Sequence, residues 1–244
     1  MFPAFLRKSK LWLLIPVFLI ILPLLVYLTW LIEPSYQPQR LVLSNITDHQ
    51  ATVSWVTSIP TKGSIVLSTD SKFPLLPLFA KKIYKDDGEK NTKKVGHYTT
   101  HRVIVGDLSS QTKYQFRIYQ GQKKVFQGEF TTASTLTSLN TPNPVYGRVL
   151  DADKKSPIIG AIVYLRVRNS ASDSATLSTI TNSQGGWSID LANLRTRDLN
   201  STFKLTRDSK EYIIAEAASK GSVLVETTPG KDKPWPDIIL ATNK

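Results

Sequence analysis

The residues best placed to do chemistry lie in "TNSQGGWSIDL" (181–191). Paired glycines such as Gly185 and Gly186 can cradle a phosphate, and an exposed tryptophan such as Trp187 can stack on a sugar or a base. A phosphate loop, however, runs from a strand into a helix and usually has a lysine within reach. This stretch contains no lysine and is flanked by strand-like residues on both sides. Asn182 is suited to cap a turn through its side chain, and Gly185 takes φ > 0 at little cost. Trp187, Ile189 and Leu191 then alternate, which aims the indole at a core. The stretch is therefore expected to be a turn that opens a strand.

The other candidates weaken in the same way. Asp151-x-Asp153 resembles the opening of a calcium loop, but the Gly and Glu that would complete an EF-hand do not follow. It is expected to be a polar hairpin tip. Asp86, Asp87 and Glu89 form an acidic cluster, yet acid–base catalysis needs carboxylates held in a cleft with separated pKa values. Here they lie among lysines, where a solvated loop is expected. Serine is abundant, but there is no Gly-x-Ser-x-Gly elbow and no credible base to activate a serine. The absence of cysteine excludes disulfides, thiolate metal sites and a cysteine nucleophile. His49, His97 and His101 are the whole histidine supply. Asn45-Ile-Thr47 and Asn200-Ser-Thr202 fit the N-glycosylation sequon, which matters only in a eukaryotic secretory pathway. The sequence thus nominates no catalytic, cofactor-binding or metal-ligating residue, and no cofactor.

The clearest element among those that would position these residues comes first. Leu11–Ile32 is 22 residues without a charge, a helix length that matches a hydrocarbon core of roughly 30 Å. Pro16 and Pro23 are tolerated in such a helix, and Trp12, Tyr27 and Trp30 sit near its ends, where amphipathic rings prefer the interface. The segment is longer than a signal-peptide core, and no small-x-small cleavage site follows it. Arg7, Lys8 and Lys10 precede it and Glu33 follows. This places residues 1–10 in the cytoplasm, a transmembrane helix at 11–32 and the rest outside the cell or in the periplasm. Beyond the span, 28 basic residues face all 19 acidic ones, a surplus of +9. Outside the membrane that surplus is either a generically basic solvated surface or a match for anionic wall or glycan polymers, lipid headgroups or acidic envelope proteins, and does not point to nucleic acid.

"EPSYQPQ" (33–39) reads as a short extended stalk. Period-2 segments follow at 40–46, 51–57, 63–69, 101–108, 113–120 and 125–132, which suggests an antiparallel sandwich. Trp55 is a bulky plug between sheets. Leu108 stands six residues before Tyr114 in "LSSQTKYQF", the spacing of a tyrosine corner. On these residues, with "VSWVTSIPTKGSIV" (53–66) and "HRVIVGDLSSQTKY" (101–114), residues 37–132 resemble a fibronectin type III domain. The variant they resemble precedes purple acid phosphatase catalytic domains and also occurs in bacterial surface proteins. The resemblance implies that His101 holds a structural position. Two departures are Ser110, where the family has proline, and the long insert 70–98, whose "FPLLPLFA" is expected to pack under the sandwich rim, the alternatives being contact with the membrane surface or with a partner. A phosphoesterase centre would require several Asp, Asn and His ligands across an α/β domain. "VGDLSS" (105–110) supplies only a turn.

"TASTLTSLNTPNP", ending at Pro144, reads as a linker, assigned to 133–144. Strands resume at 145–151, 160–167, 175–181, 187–191, 211–217, 222–227 and 236–241. Gly147, Val149, Asp151, Asp153, Pro157, Gly160, Ala161, Thr181, Gly185 and Trp187 make residues 145–242 resemble a carboxypeptidase regulatory-like (transthyretin-like) domain. Asn182 departs from that family's Asp, and 192–210 is a longer connection with room for one helical turn.

The expected fold class is all-β, with two tandem antiparallel sandwiches (40–132 and 145–242) after an N-terminal transmembrane helix. The expected role is a non-enzymatic, membrane-anchored surface protein whose modules bind protein or glycan or act as a spacer. The alternative is an accessory subunit of an envelope enzyme or secretion complex.

Overall fold

A computed structural model describes residues 19–25, 37–88, 96, 98–138, 141–218 and 220–241. The chain divides into two compact units, Met1–Ser35 and Tyr36–Lys244. In the first unit, residues 19–25 are helical and carry exposed Leu and Ile side chains. No helix among the described residues is long and apolar enough to cross a membrane. The rest of the expected 11–32 span, the 1–10 segment and most of the 33–39 stalk lie outside the described residues.

The second unit is built from strands, as the alternation requires. Its first half contains β1 (Gln39–Ser44), β2 (Ala51–Thr61), β3 (Ser64–Ser68), β4 (Tyr84–Lys85), β5 (Tyr98–Val105), β6 (Lys113–Gln120) and β7 (Lys123–Thr131). They form a three-stranded sheet β1-β2-β5 and a four-stranded sheet β4-β3-β6-β7, all antiparallel. Ala51, Val53 and Trp55 of β2, Val103 and Val105 of β5, Ile65 of β3, and Phe116 and Ile118 of β6 share one core between the sheets. Trp55 is fully buried. Tyr114 closes the corner by accepting the Ser109 backbone N–H at 2.9 Å. β4 was not foreseen. Its two residues lie in the 70–98 insert, too short to show a period.

The second half contains β8 (Pro144–Leu150), β9 (Ile162–Arg168), β10 (Leu177–Ile180), β11 (Gly186–Asp190), β12 (Lys210–Ala217), β13 (Gly221–Thr227) and β14 (Ile238–Ile239). Sheets β10-β9-β12-β13 and β11-β8-β14 enclose the second core, which includes Leu165, Trp187, Leu194, Phe203, Ile213 and Trp235. The expected strand at 236–241 shrinks to β14, which pairs with β8 in parallel, not antiparallel. Pro234 and Pro236 have no N–H to give a ladder, so only the end of that stretch joins the sheet. The long connection holds a single 3₁₀ turn, Leu191–Asn193, capped by the Asp190 side chain.

Candidate functional site

Asp86 of the acidic cluster and His101 do meet, but not in a solvated loop. Asp86 and His101 are 1% and 0% exposed. His101 Nδ1 lies 3.0 Å from Asp86 Oδ2, and its Nε2 lies 3.3 Å from Thr57 Oγ1 and 3.0 Å from Thr61 Oγ1. A break in the β2–β5 register between Val56 and Thr61 folds the two threonines back onto the imidazole. Trp55 covers the ring from one side, with centroids 4.8 Å apart and nearly parallel planes. Gly63 permits this stack, because a Cβ there would sit 2.7 Å from His101 Nδ1 and 2.8 Å from the Trp55 ring.

Carboxylate, imidazole and hydroxyl in series have the connectivity of a nucleophile relay. Here the Thr57 hydroxyl donates to the Ile59 carbonyl at 2.7 Å, and the ring is sealed from solvent. The arrangement ties β2, β5 and the end of the insert together. Asp87 is likewise buried, as the ion-pair partner of Arg102. The expected solvated loop is corrected at these two residues: each aspartate enters the fold because a basic partner from β5 awaits it. Glu89 and His97 lie outside the described residues. His49 is exposed beside Asp48.

Arg102 also leads to the main feature of the unit, a polar seam between the two sandwiches. Its Nη2 donates to the Ser178 carbonyl at 3.2 Å. Asn45 Nδ2 donates to Ser178 O at 3.0 Å, and its Oδ1 accepts the Ser178 N–H at 2.9 Å. Ser44 and Ser178 hydroxyls pair at 2.8 Å, Ser54 and Tyr164 hydroxyls at 2.9 Å, and the Asn45 N–H donates to Thr176 O at 2.9 Å. Arg40 pairs with Glu216, whose carboxyl is pushed up by burial and drawn back by that guanidinium. Arg195 Nη1 donates to the Ser134 carbonyl at 2.8 Å, pinning the expected linker to the second sandwich. The Ala133 N–H is bonded to Thr47 O.

β2 is consequently buried on both faces. Ala51, Val53 and Trp55 point into the first core, while Thr52, Ser54 and Val56 face the neighbouring sandwich, all at 1% exposure or less. The sequence reading missed Ser44, Ser54, Tyr164 and Ser178. One signal was available: residues 51–59 carry no charge, although alternate positions of a half-exposed strand should.

The two turns resolve as expected. Asn182 Oδ1 accepts the N–H groups of Gln184 (2.8 Å) and Gly186 (3.0 Å). Gly185 has φ +72°, and a Cβ there would meet Val149 O at 2.5 Å. Trp187 is buried against Trp235. Asp153 accepts from Lys155 N and Ser156 N at 2.8 Å, and Asp151 pairs with Lys220 at 2.6 Å. Among the described residues no three His, Cys, Asp or Glu side chains cluster as metal ligands. Asn45, in the first sequon, is committed to the seam.

Two of the clefts among the described residues border the seam and the insert. One, of about 520 Å³, lies at the edge of the seam between Asp86, Tyr98 and Thr100 on one side and Ile159, Ile180 and Asn182 on the other. The second, of about 530 Å³, lies beneath the insert between Lys72, Phe79, Lys82, Tyr84 and Asp107. The insert itself departs from expectation. Pro77 is buried, but Leu75 is 91%, Leu78 52% and Phe79 66% exposed. Two hydrogen bonds, Phe79 N to Leu76 O (3.1 Å) and Ala80 N to Pro77 O (2.9 Å), make a tight turn.

The first half is thus a β-sandwich of the fibronectin III type, with sheets of three and four strands closed by a tyrosine corner. Residues 37–136 match the sequence model of the family described as "Purple acid Phosphatase, N-terminal domain". No curated protein has a significantly similar sequence. Among solved structures, the FN1-FN3 domains of chicken CNTN1 are 12% identical with a TM-score of 0.26, over 78% of this chain and 64% of that one. This chain therefore spans less than two thirds of that structure. A two-domain fibronectin type-III segment from chicken tenascin is 8% identical (TM-score 0.26; 79% and 98% covered). BcpA, the major pilin subunit of Bacillus cereus, is 10% identical (TM-score 0.27; 86% and 71% covered).

Proposed function

We propose that this chain is a single-pass membrane protein that holds two docked β-sandwiches outside the cell as a non-enzymatic surface module. The supporting observation is the seam: Asn45, Ser54, Arg102, Tyr164 and Ser178 join the sandwiches through buried hydrogen bonds. Two beads on a linker would vary their separation, whereas a seam of this kind fixes it, as a spacer or a presenting platform requires. The ionisable groups closest to a catalytic arrangement, Asp86 and His101, are sealed inside and used for packing.

The anchor is the uncharged 11–32 segment, and the exposed aliphatic side chains of helical residues 19–25 suit a lipid environment. The second sandwich, in which Gly147 of β8 pairs with Trp187 of β11, is a carboxypeptidase regulatory-like module of a bacterial envelope protein. Its ligand is an envelope protein or an anionic wall or glycan polymer, matched to the basic surplus beyond the anchor. Carbonate extraction of cell membranes followed by pull-down with the 36–244 unit tests this reading. Retention in the pellet and capture of a wall, glycan or protein fraction support it. Release by carbonate removes the anchor, and failure to capture anything leaves only the spacer.

A second reading, an accessory subunit of an envelope complex, draws on the exposed Leu75, Leu78 and Phe79. Stoichiometric co-purification of a membrane partner in detergent would favour it.

A further inference from the structure

The insert between β3 and β4 combines two chemistries that rarely meet on a free surface. Its turn projects Leu75, Leu78 and Phe79, exposed by 91%, 52% and 66%. Lys72, Lys81, Lys82 and Lys85 lie on either side of the turn; Asp70 is the one acid in sequence between residues 70 and 85, and the fold brings Asp107 beside Lys82. Lys72 is 87% and Lys82 51% exposed, even with Asp70 and Asp107 as their ion-pair partners. The shape is fixed in advance. Asp70 Oδ1 accepts from Ser68 Oγ at 2.9 Å and from Lys72 N at 3.1 Å, and Arg117 stacks on Phe73 at 4.1 Å. The buried Pro77 roots the turn in the sandwich.

Apolar tips at the end of a rigid turn, collared by ammonium groups, suit a surface that is oily inside and negatively charged at its rim. We infer that the 72–85 insert docks on an anionic bilayer, with Leu75, Leu78 and Phe79 entering the acyl boundary and the lysines meeting lipid phosphates. Burying one Leu or Phe side chain is worth about tenfold or more in partitioning, and each lysine near an anionic surface adds a further several-fold. The choice of a bilayer over a protein groove rests on the membrane-anchored reading above.

The test uses the 36–244 unit, which is compact, contains both cores and lacks the 11–32 segment. Its failure therefore leaves the anchor reading untouched, and carbonate extraction judges the anchor separately. The unit is sedimented with phosphatidylcholine vesicles with and without phosphatidylglycerol. Binding to the anionic vesicles, weakened by salt and reduced tenfold or more in the doubly substituted Leu75→Asp/Phe79→Asp protein, is the expected result. Lys81→Glu with Lys85→Glu reduces it several-fold, and Phe79→Trp shows quenching by brominated acyl chains. All these positions are exposed, so each variant keeps the wild-type denaturation midpoint. No binding to anionic vesicles, or binding unchanged by the double substitution, overturns the proposal. Equal binding to both vesicle types overturns its electrostatic half. A lipid-free dimer dissolved by the double substitution reassigns the turn to a second copy and also overturns it.

Discussion

Glu211 offers the sharpest physical test of the second sandwich. It lies in β12, is 0% exposed, and has Asp232 and Trp235 beside it, with Asp232 itself 2% exposed. Burial, followed by the charge of Asp232, pushes the Glu211 carboxyl from its ordinary 4.5 up to about 8, with Lys233 only partly opposing this. Because the folded-state value is the higher one, the native state keeps a proton that the unfolded chain releases. Stability is therefore fully present below about pH 4.5 and is lost as pH rises through about 8.

A shift of about three and a half units at 1.36 kcal/mol each is worth on the order of 5 kcal/mol, a large part of the roughly 5–15 kcal/mol that stabilises a domain. Glu211→Gln keeps the shape and removes the titration. Denaturant titrations followed by tryptophan fluorescence, at a series of values between pH 5 and pH 9, should show the wild-type free energy falling relative to the variant. By pH 9 the variant should be the more stable by several kcal/mol. Parallel profiles for the two proteins would refute the reasoning, because they would mean that Glu211 is already charged in the folded state.

Two further substitutions probe the turn and the seam. Gly185→Val places a β-branched side chain at φ +72° and drives its Cβ to 2.5 Å from Val149 O. It should cost about 3 kcal/mol, read as a lower denaturation midpoint of the second sandwich; an unchanged midpoint would separate the turn from the fold. Asn45→Gly tolerates the local φ of +49° but removes every side-chain bond to Ser178. About 2–3 kcal/mol of inter-sandwich coupling should go with it. Calorimetry should then resolve two transitions where the wild type has one, and a single unchanged transition would show that the seam does not couple the two halves.

The sequence by itself determined most of the strands and their inward faces. Val53, Trp55, Val103 and Val105 alternate, as do Trp187 and Ile189, and alternation has one structural meaning when one face must leave water. The tyrosine corner and the Asn182–Gly186 turn were also legible, because each is closed by residues a few positions apart. What only the tertiary structure decided is the second face of β2. Thr52 and Ser54 are small and polar and would serve equally well against water or against another sheet. Their burial depends on Tyr164 and Ser178, more than a hundred residues away. The same holds for Asp86 and Asp87. Among lysines in the sequence they look solvated, and they are buried because β5 brings His101 and Arg102 to them. Local pattern records which side chains avoid water. Partners for polar ones are supplied by distant chain, and no period in the sequence encodes that distance.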